Sequence, residues 1–153
     1  MIKINSVRSI PLFLFLSLFH FLNAQNEISW TFVFDENEEQ LVMIAKLKEN
    51  WHLYSQYIDE NAGPVATTFT FDENDEVDFV GKVEEPIGNE VYDKNFGTYI
   101  TYFSDEVVFK QNLQKVNEKT SVKGSVLYMV CDDSSCLPPD VVDFEIEINV
   151  LEK

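Results

Sequence analysis

Apolar and polar positions alternate along most of this chain with a period of two, the spacing of a strand with one buried face. Ile28, Trp30, Phe32 and Phe34 share a face. Leu41, Met43, Ala45 and Leu47 do the same in the next run. Val65, Thr67, Phe69 and Phe71 form a third set, and Thr98–Phe103, Glu106–Gln111 and Ser121–Val130 continue the series. In Val141–Val150, Val142, Phe144, Ile146 and Ile148 alternate with Asp143, Glu145, Glu147 and Asn149. Turn formers punctuate the runs: Asp35-Glu36-Asn37, Asn61-Ala62-Gly63-Pro64, Asp72-Glu73-Asn74-Asp75, Asn95-Phe96-Gly97 and Ser104-Asp105. No segment keeps helical spacing. Many short alternating strands in one small domain predict an all-β protein, two sheets packed face to face as a β-sandwich.

The first 24 residues read differently. Lys3 and Arg8 precede an apolar run of 13 residues, Ile10 to Leu22, and then Asn23, Ala24 and Gln25. A short positive region, an apolar stretch and a small residue make a secretory signal peptide over residues 1–24. The run is too short for a comfortable transmembrane span. A mature domain over residues 25–153, with no membrane span, is expected to work as a monomer in the periplasm or another exported location. Export implies an oxidising compartment where disulfides persist.

Composition narrows the function. The chain of 153 residues suits one domain with a real core. Its 27 Asp+Glu against 11 Lys+Arg give a net charge of −16, and loss of Lys3 and Arg8 with the leader would take it to −18. Nucleic-acid binding is excluded, because phosphate contacts need clustered cations. The acidic turns lack the spacing of an EF-hand loop and read as solvated turns that discourage edge pairing. No Ser-His-Asp arrangement or phosphate loop is visible.

The chemistry concentrates at Cys131 and Cys136, the chain's 2 cysteines. Four polar turn formers, Asp132 to Ser135, separate them, and Pro138-Pro139 stop further ladder pairing. A strand therefore runs into Cys131, a tight loop follows, and the sulfurs can meet and be oxidised. As a staple such a bridge is weak: closing so short a loop contributes ~2 kcal/mol, against ~4–5 for a long loop. Short exposed disulfides are more often the exchanging kind. No metal is expected. Apart from His20 in the leader, His52 is the only histidine, and a blue-copper site needs two beside its cysteine.

Cys131 to Pro139, C-x4-C-L-P-P after the apolar stretch Val126–Val130, resembles the N-terminal periplasmic domain of the DsbD thiol:disulfide interchange proteins. Trp51-His52-Leu53-Tyr54 is similar to that domain's aromatic strand beside the active site. Gly63-Pro64 with Val65–Phe71 fits its next strand, and Asp93-Lys94-Asn95-Phe96-Gly97 its cap loop. The resemblance implies an immunoglobulin-like β-sandwich and an oxidoreductase-like exchange activity without a cofactor. It implies that Cys136 forms the intermolecular disulfide and Cys131 resolves it. Phe96 would cap the pair, in the loop that begins at Asp93, with Tyr54 and His52 lining the site. Thioredoxin-like or membrane thiol-transfer proteins would be the partners. The chain departs from the family in a shorter intercysteine loop and in His52, where the family strand has Tyr. The membrane and thioredoxin-like domains of full-length enzymes have no counterpart here, so a separate electron donor is expected. Asp132 and Asp133 should suppress the thiolate and slow the isolated domain. The alternative is a secreted β-sandwich binding module whose disulfide is purely structural.

Overall fold

The computed structural model describes residues 27–59, 61–114 and 119–149; the leader over residues 1–24 and the start at Gln25 lie outside them. Eleven strands and no helix are found among the described residues. They are β1 (Ile28–Asp35), β2 (Gln40–Leu47), β3 (His52–Tyr54), β4 (Thr68–Phe71), β5 (Asp78–Glu84), β6 (Asn89–Asp93), β7 (Thr98–Ser104), β8 (Glu106–Gln114), β9 (Lys119–Tyr128), β10 (Val130–Cys131) and β11 (Asp140–Asn149).

The alternation sets directly what meets across the ladders. Ile28, Trp30, Phe32 and Phe34 of β1 pair with Leu47, Ala45, Met43 and Leu41 of β2. Directly paired residues present their side chains on one face, so both predicted sets point to one core. The turn between them is closed by the Asp35 carboxylate, which accepts the Asn37 N–H at 3.0 Å. On the opposite layer Phe144 and Ile146 of β11 pair with Gly124 and Val122 of β9. Aromatic rings join the layers: Phe32 stacks on Phe144 at 4.4 Å, and Trp30 meets Phe69 and Tyr128 at 5.9 and 5.6 Å.

All strand pairs are antiparallel, and they form three ladders rather than the two sheets predicted: β1-β2-β8-β5, β10-β3-β7-β6 and β11-β9-β4. The run Ser121–Val130, predicted as one strand, accounts for the extra ladder. β11 begins at Asp140, opposite Tyr128, right after Pro138-Pro139, and proline has no N–H to donate. Beyond Tyr128 the chain has lost that partner, and it continues past Met129 as β10 alongside β3. Alternation also missed β5 and β6. The ladder of β5 is irregular between Val80 and Glu84, around Gly81 at φ 73°, and β6 is a short, mostly exposed edge strand. The third predicted set begins later than expected, at Thr68, and the Val65 N–H points instead to the Met129 sulfur at 3.5 Å.

The second ladder positions the site because both of its faces are covered. Leu53, Phe103 and Val130 belong to the main core. Tyr54, Ile100 and Cys131 lie in a separate small cluster, with Phe96, Tyr102, Met129 and Cys136 packed against them.

Gly124 marks where the third ladder is tightest. A Cβ there would stand 2.7 Å from Phe144 Cζ and would collide with the Thr70 carbonyl oxygen. Backbone cannot step aside as a flexible side chain can, so Gly124→Ala is expected to cost about 1–3 kcal/mol. A urea unfolding midpoint lowered at unchanged slope is the expected reading.

Candidate functional site

Cys131 and Cys136 form a disulfide with Cα atoms 4.0 Å apart. Cys131 is fully buried in β10, whereas Cys136 is half-buried and lies outside the named strands. The hairpin between them is built by its own sequence. The Asp132 N–H donates to the Ser135 carbonyl at 2.9 Å, and the Leu137 N–H returns to the Val130 carbonyl at 3.0 Å. The Asp132 carboxylate accepts the N–H groups of Ser134 and Ser135, both at 2.7 Å. These bonds favour its charged form and hold its pKa below the ordinary 3.8. The acid beside the cysteines therefore also closes the turn.

Cys131 pairs with His52, and His52 in turn with Ser104 of β7. Tyr54 pairs with Tyr102, two residues along the same face. The Tyr54 hydroxyl donates to Asp93 Oδ2 at 2.8 Å, and His52 Nε2 lies 3.2 Å from that hydroxyl oxygen. With the Tyr54 proton engaged by Asp93, the oxygen is left to accept, which assigns the ring proton to His52 Nε2. His52 also stacks on Tyr102 at 4.3 Å between centroids. Burial pushes the Tyr54 phenol well above its usual range, and the bond to Asp93 adds to the shift, so the hydroxyl remains a donor. Burial pulls the His52 pKa below 6.5, opposed by the charges of Asp93, Asp133 and Asp132.

Asp93 spans two structures with one carboxylate. Oδ1 accepts the N–H groups of Asn95 at 2.8 Å and Phe96 at 3.3 Å, while the Asp93 carbonyl takes the Gly97 N–H at 2.8 Å. This turn projects Phe96, half-buried, onto Tyr54, the rings edge to face at 6.1 Å. On its other side Phe96 lies against Gly63, where a Cβ would strike the ring and where φ is 109°. Asn95 Nδ2 donates to the Asp132 carbonyl at 3.3 Å, tying this loop to the cysteine hairpin.

The fold thus gathers Cys131, Cys136, His52, Tyr54, Asp93 and Phe96 in one place. Three contributions are not visible in the sequence: Tyr102 as the surface under His52, Asn95 as the tie between loops, and Gly63 as the seat of Phe96. The alternation of Thr98–Phe103 could have put Tyr102 on the face away from the core. Between the loop after β6 and the cysteine hairpin lies a cleft of about 110 Å³, lined among others by His52, Asp93, Lys94, Asp132 and Asp133.

The family model described as "Thiol:disulfide interchange protein DsbD, N-terminal" matches residues 20–148. No curated protein matches the chain significantly. Among solved structures, the reduced DsbD N-terminal domain of Neisseria meningitidis is 17% identical with a TM-score of 0.59, over 80% of this chain and 86% of that one. The complex of the DsbD and PilB N-terminal domains from the same organism gives 15% identity and a TM-score of 0.59, over 82% and 87% of the two chains. The N-terminal periplasmic domain of ScsB from Proteus mirabilis gives 16% and 0.52, over 80% of this chain and 45% of that one. At these identities the likeness shows the fold, an immunoglobulin-like β-sandwich, as predicted.

Two outcomes are expected. Since the His52 pKa is lower in the folded state, the unfolded state binds the extra proton from about pH 6.5 downward. Stability that is full above that value is therefore lost as pH falls through the folded pKa. His52→Gln should flatten this slope, measured as urea midpoints between about pH 7 and pH 5. For Phe96→Ala, partial burial sets a cost of about 1–2 kcal/mol, less than the ~3–5 of a fully buried Phe. Its alkylation rate in the reduced state should rise. An unchanged rate with a large loss of stability would mean that Phe96 serves only the core.

Proposed function

This chain belongs to the DsbD N-terminal domain family, and from that premise we propose that it passes reducing equivalents between exported proteins by thiol–disulfide exchange at Cys131 and Cys136. One observation carries the reading: the bridge closes a sequence separation of only 5 and packs in the small cluster apart from the main core. A disulfide placed so adds little stability and can open without disturbing the sandwich.

Exchange proceeds by attack of a partner's thiolate on one sulfur, with the electron pair leaving on the other. Cys136, half-buried, is the accessible sulfur and forms the mixed disulfide; Cys131 receives the electron pair and later resolves it. Phe96, seated on Gly63 and Tyr54, shields the pair until a docked partner displaces it. Thioredoxin-like or membrane thiol-transfer proteins are the partners. The complex of a relative with the PilB N-terminal domain supports docking of this domain on a separate protein. The net charge of −16 favours partners with a basic rim. Residues 1–24 act as the export signal, and the domain works in the periplasm.

The competing reading, a binding module with a structural bridge, draws on the complete burial of Cys131. Titration with a mild dithiol, followed by near-UV dichroism, separates the two. The exchange reading predicts full reduction with the folded spectrum retained. It equally predicts that the Cys131→Ala, Cys136→Ala variant folds, since the bridge adds ~2 kcal/mol to a domain that typically holds ~5–15. Unfolding on reduction would make the bridge a staple.

A further inference from the structure

Resting on the exchange reading, a question of proton balance arises at Cys131. When a thiolate attacks Cys136, the Cys131–Cys136 bond breaks and its electron pair goes to Cys131 as a thiolate. That sulfur is fully buried, and an unpaired charge there is costly. The groups around it are mostly of the wrong sign. Asp132 and Asp133 follow it in the hairpin, and Asp93 stands across the site. Lys94 lines the same cleft from the loop after β6. Tyr54 commits its proton to Asp93, and Tyr102 and Ser104 on β7 lie beyond His52.

We propose that His52 holds the proton that accompanies Cys131 through exchange. His52 is the residue directly paired with Cys131 across the β3–β10 ladder, and paired side chains share a face about 5 Å apart. Its ring is fixed by Tyr102 beneath it and by the Tyr54 hydroxyl at Nε2, so Nδ1 is the nitrogen able to take a proton. The cleft that it shares with Lys94 and the acidic side chains connects it to solvent. As the bond breaks, one proton enters with the electron pair and is shared by Cys131 Sγ and His52, as thiolate and imidazolium or as thiol and imidazole. In the reverse direction Cys131 attacks the mixed disulfide at Cys136, the partner leaves as a thiolate, and His52 releases the proton to solvent. Burial disfavours the imidazolium while the bridge is closed. The opened bridge places a negative charge beside it and draws the proton in.

The test is an NMR titration of the His52 ring in the oxidised and the dithiol-reduced protein, its signals identified by their loss in the His52→Gln variant. Beside it, the Cys131 thiol is titrated by thiolate absorbance in Cys136→Ser, with and without His52→Gln or His52→Phe. We expect the His52 pKa to rise by about one pH unit or more on reduction, the size of shift that a neighbouring charge produces. Both substitutions should raise the Cys131 thiol pKa by a similar amount. A His52 titration identical in the two redox states overturns the proposal, and needs no substitution to fold. So does a Cys131 titration indifferent to residue 52. A bridge that cannot be reduced in the folded domain instead overturns the exchange reading, and this inference with it.

Discussion

The arrangement around the cysteines depends on the Asp93 carboxylate. One oxygen takes the Tyr54 hydroxyl; the other closes the turn that presents Phe96. Asp93 is buried at the end of β6, where no water can replace these bonds cheaply. Loss of the carboxylate would free the loop from the strand and leave the Tyr54 hydroxyl without its acceptor. The turn that carries Phe96 and the polar chain of Tyr54 and His52 are therefore one structure. Asn95 extends it by bonding to the backbone of the cysteine hairpin.

The two hydrophobic clusters set the cysteines apart from the main core. The aromatic seam of Trp30, Phe32, Phe69, Phe109 and Phe144 holds the sandwich together without contribution from either cysteine. The cysteines sit where β9 runs out of its β11 partner and crosses to β3. Pro138-Pro139 produce both facts, ending one ladder and returning the chain after Cys136. On the exchange proposed here, a bridge in this position changes state while the strands on either side keep their hydrogen bonds. That is what exchange requires and what a staple would not need.

How much could be read beforehand varied with the physics. Strand faces followed from alternation wherever a strand buries one side, as in β1, β2 and β11. Alternation failed at β5, where an irregular register breaks the period, and at β6, a polar edge strand. It also failed at β3, three residues buried on both faces. The cysteine pair stood out from spacing and turn chemistry alone. His52, Tyr54, Asp93 and Phe96 were named only through family resemblance. They lie far apart in sequence and meet because β3, β7 and β6 pair in that order. Alternation tells which face a residue occupies, not which strand lies beside it. The split into three ladders is invisible to alternation for the same reason.

If Cys136 is the sulfur that partners reach and Cys131 the one held inside, the two single-cysteine variants must behave unequally. The direct measurement is covalent capture: Cys131→Ser and Cys136→Ser are each mixed with a thioredoxin-like domain that retains only its attacking cysteine, activated as a mixed disulfide with a small thiol. Products are then resolved without reductant and identified by mass. The account predicts a stable mixed disulfide through Cys136 in the Cys131→Ser protein and little or none through the buried Cys131 in the other. Equal capture by both variants, or capture by neither while both remain folded, would contradict it.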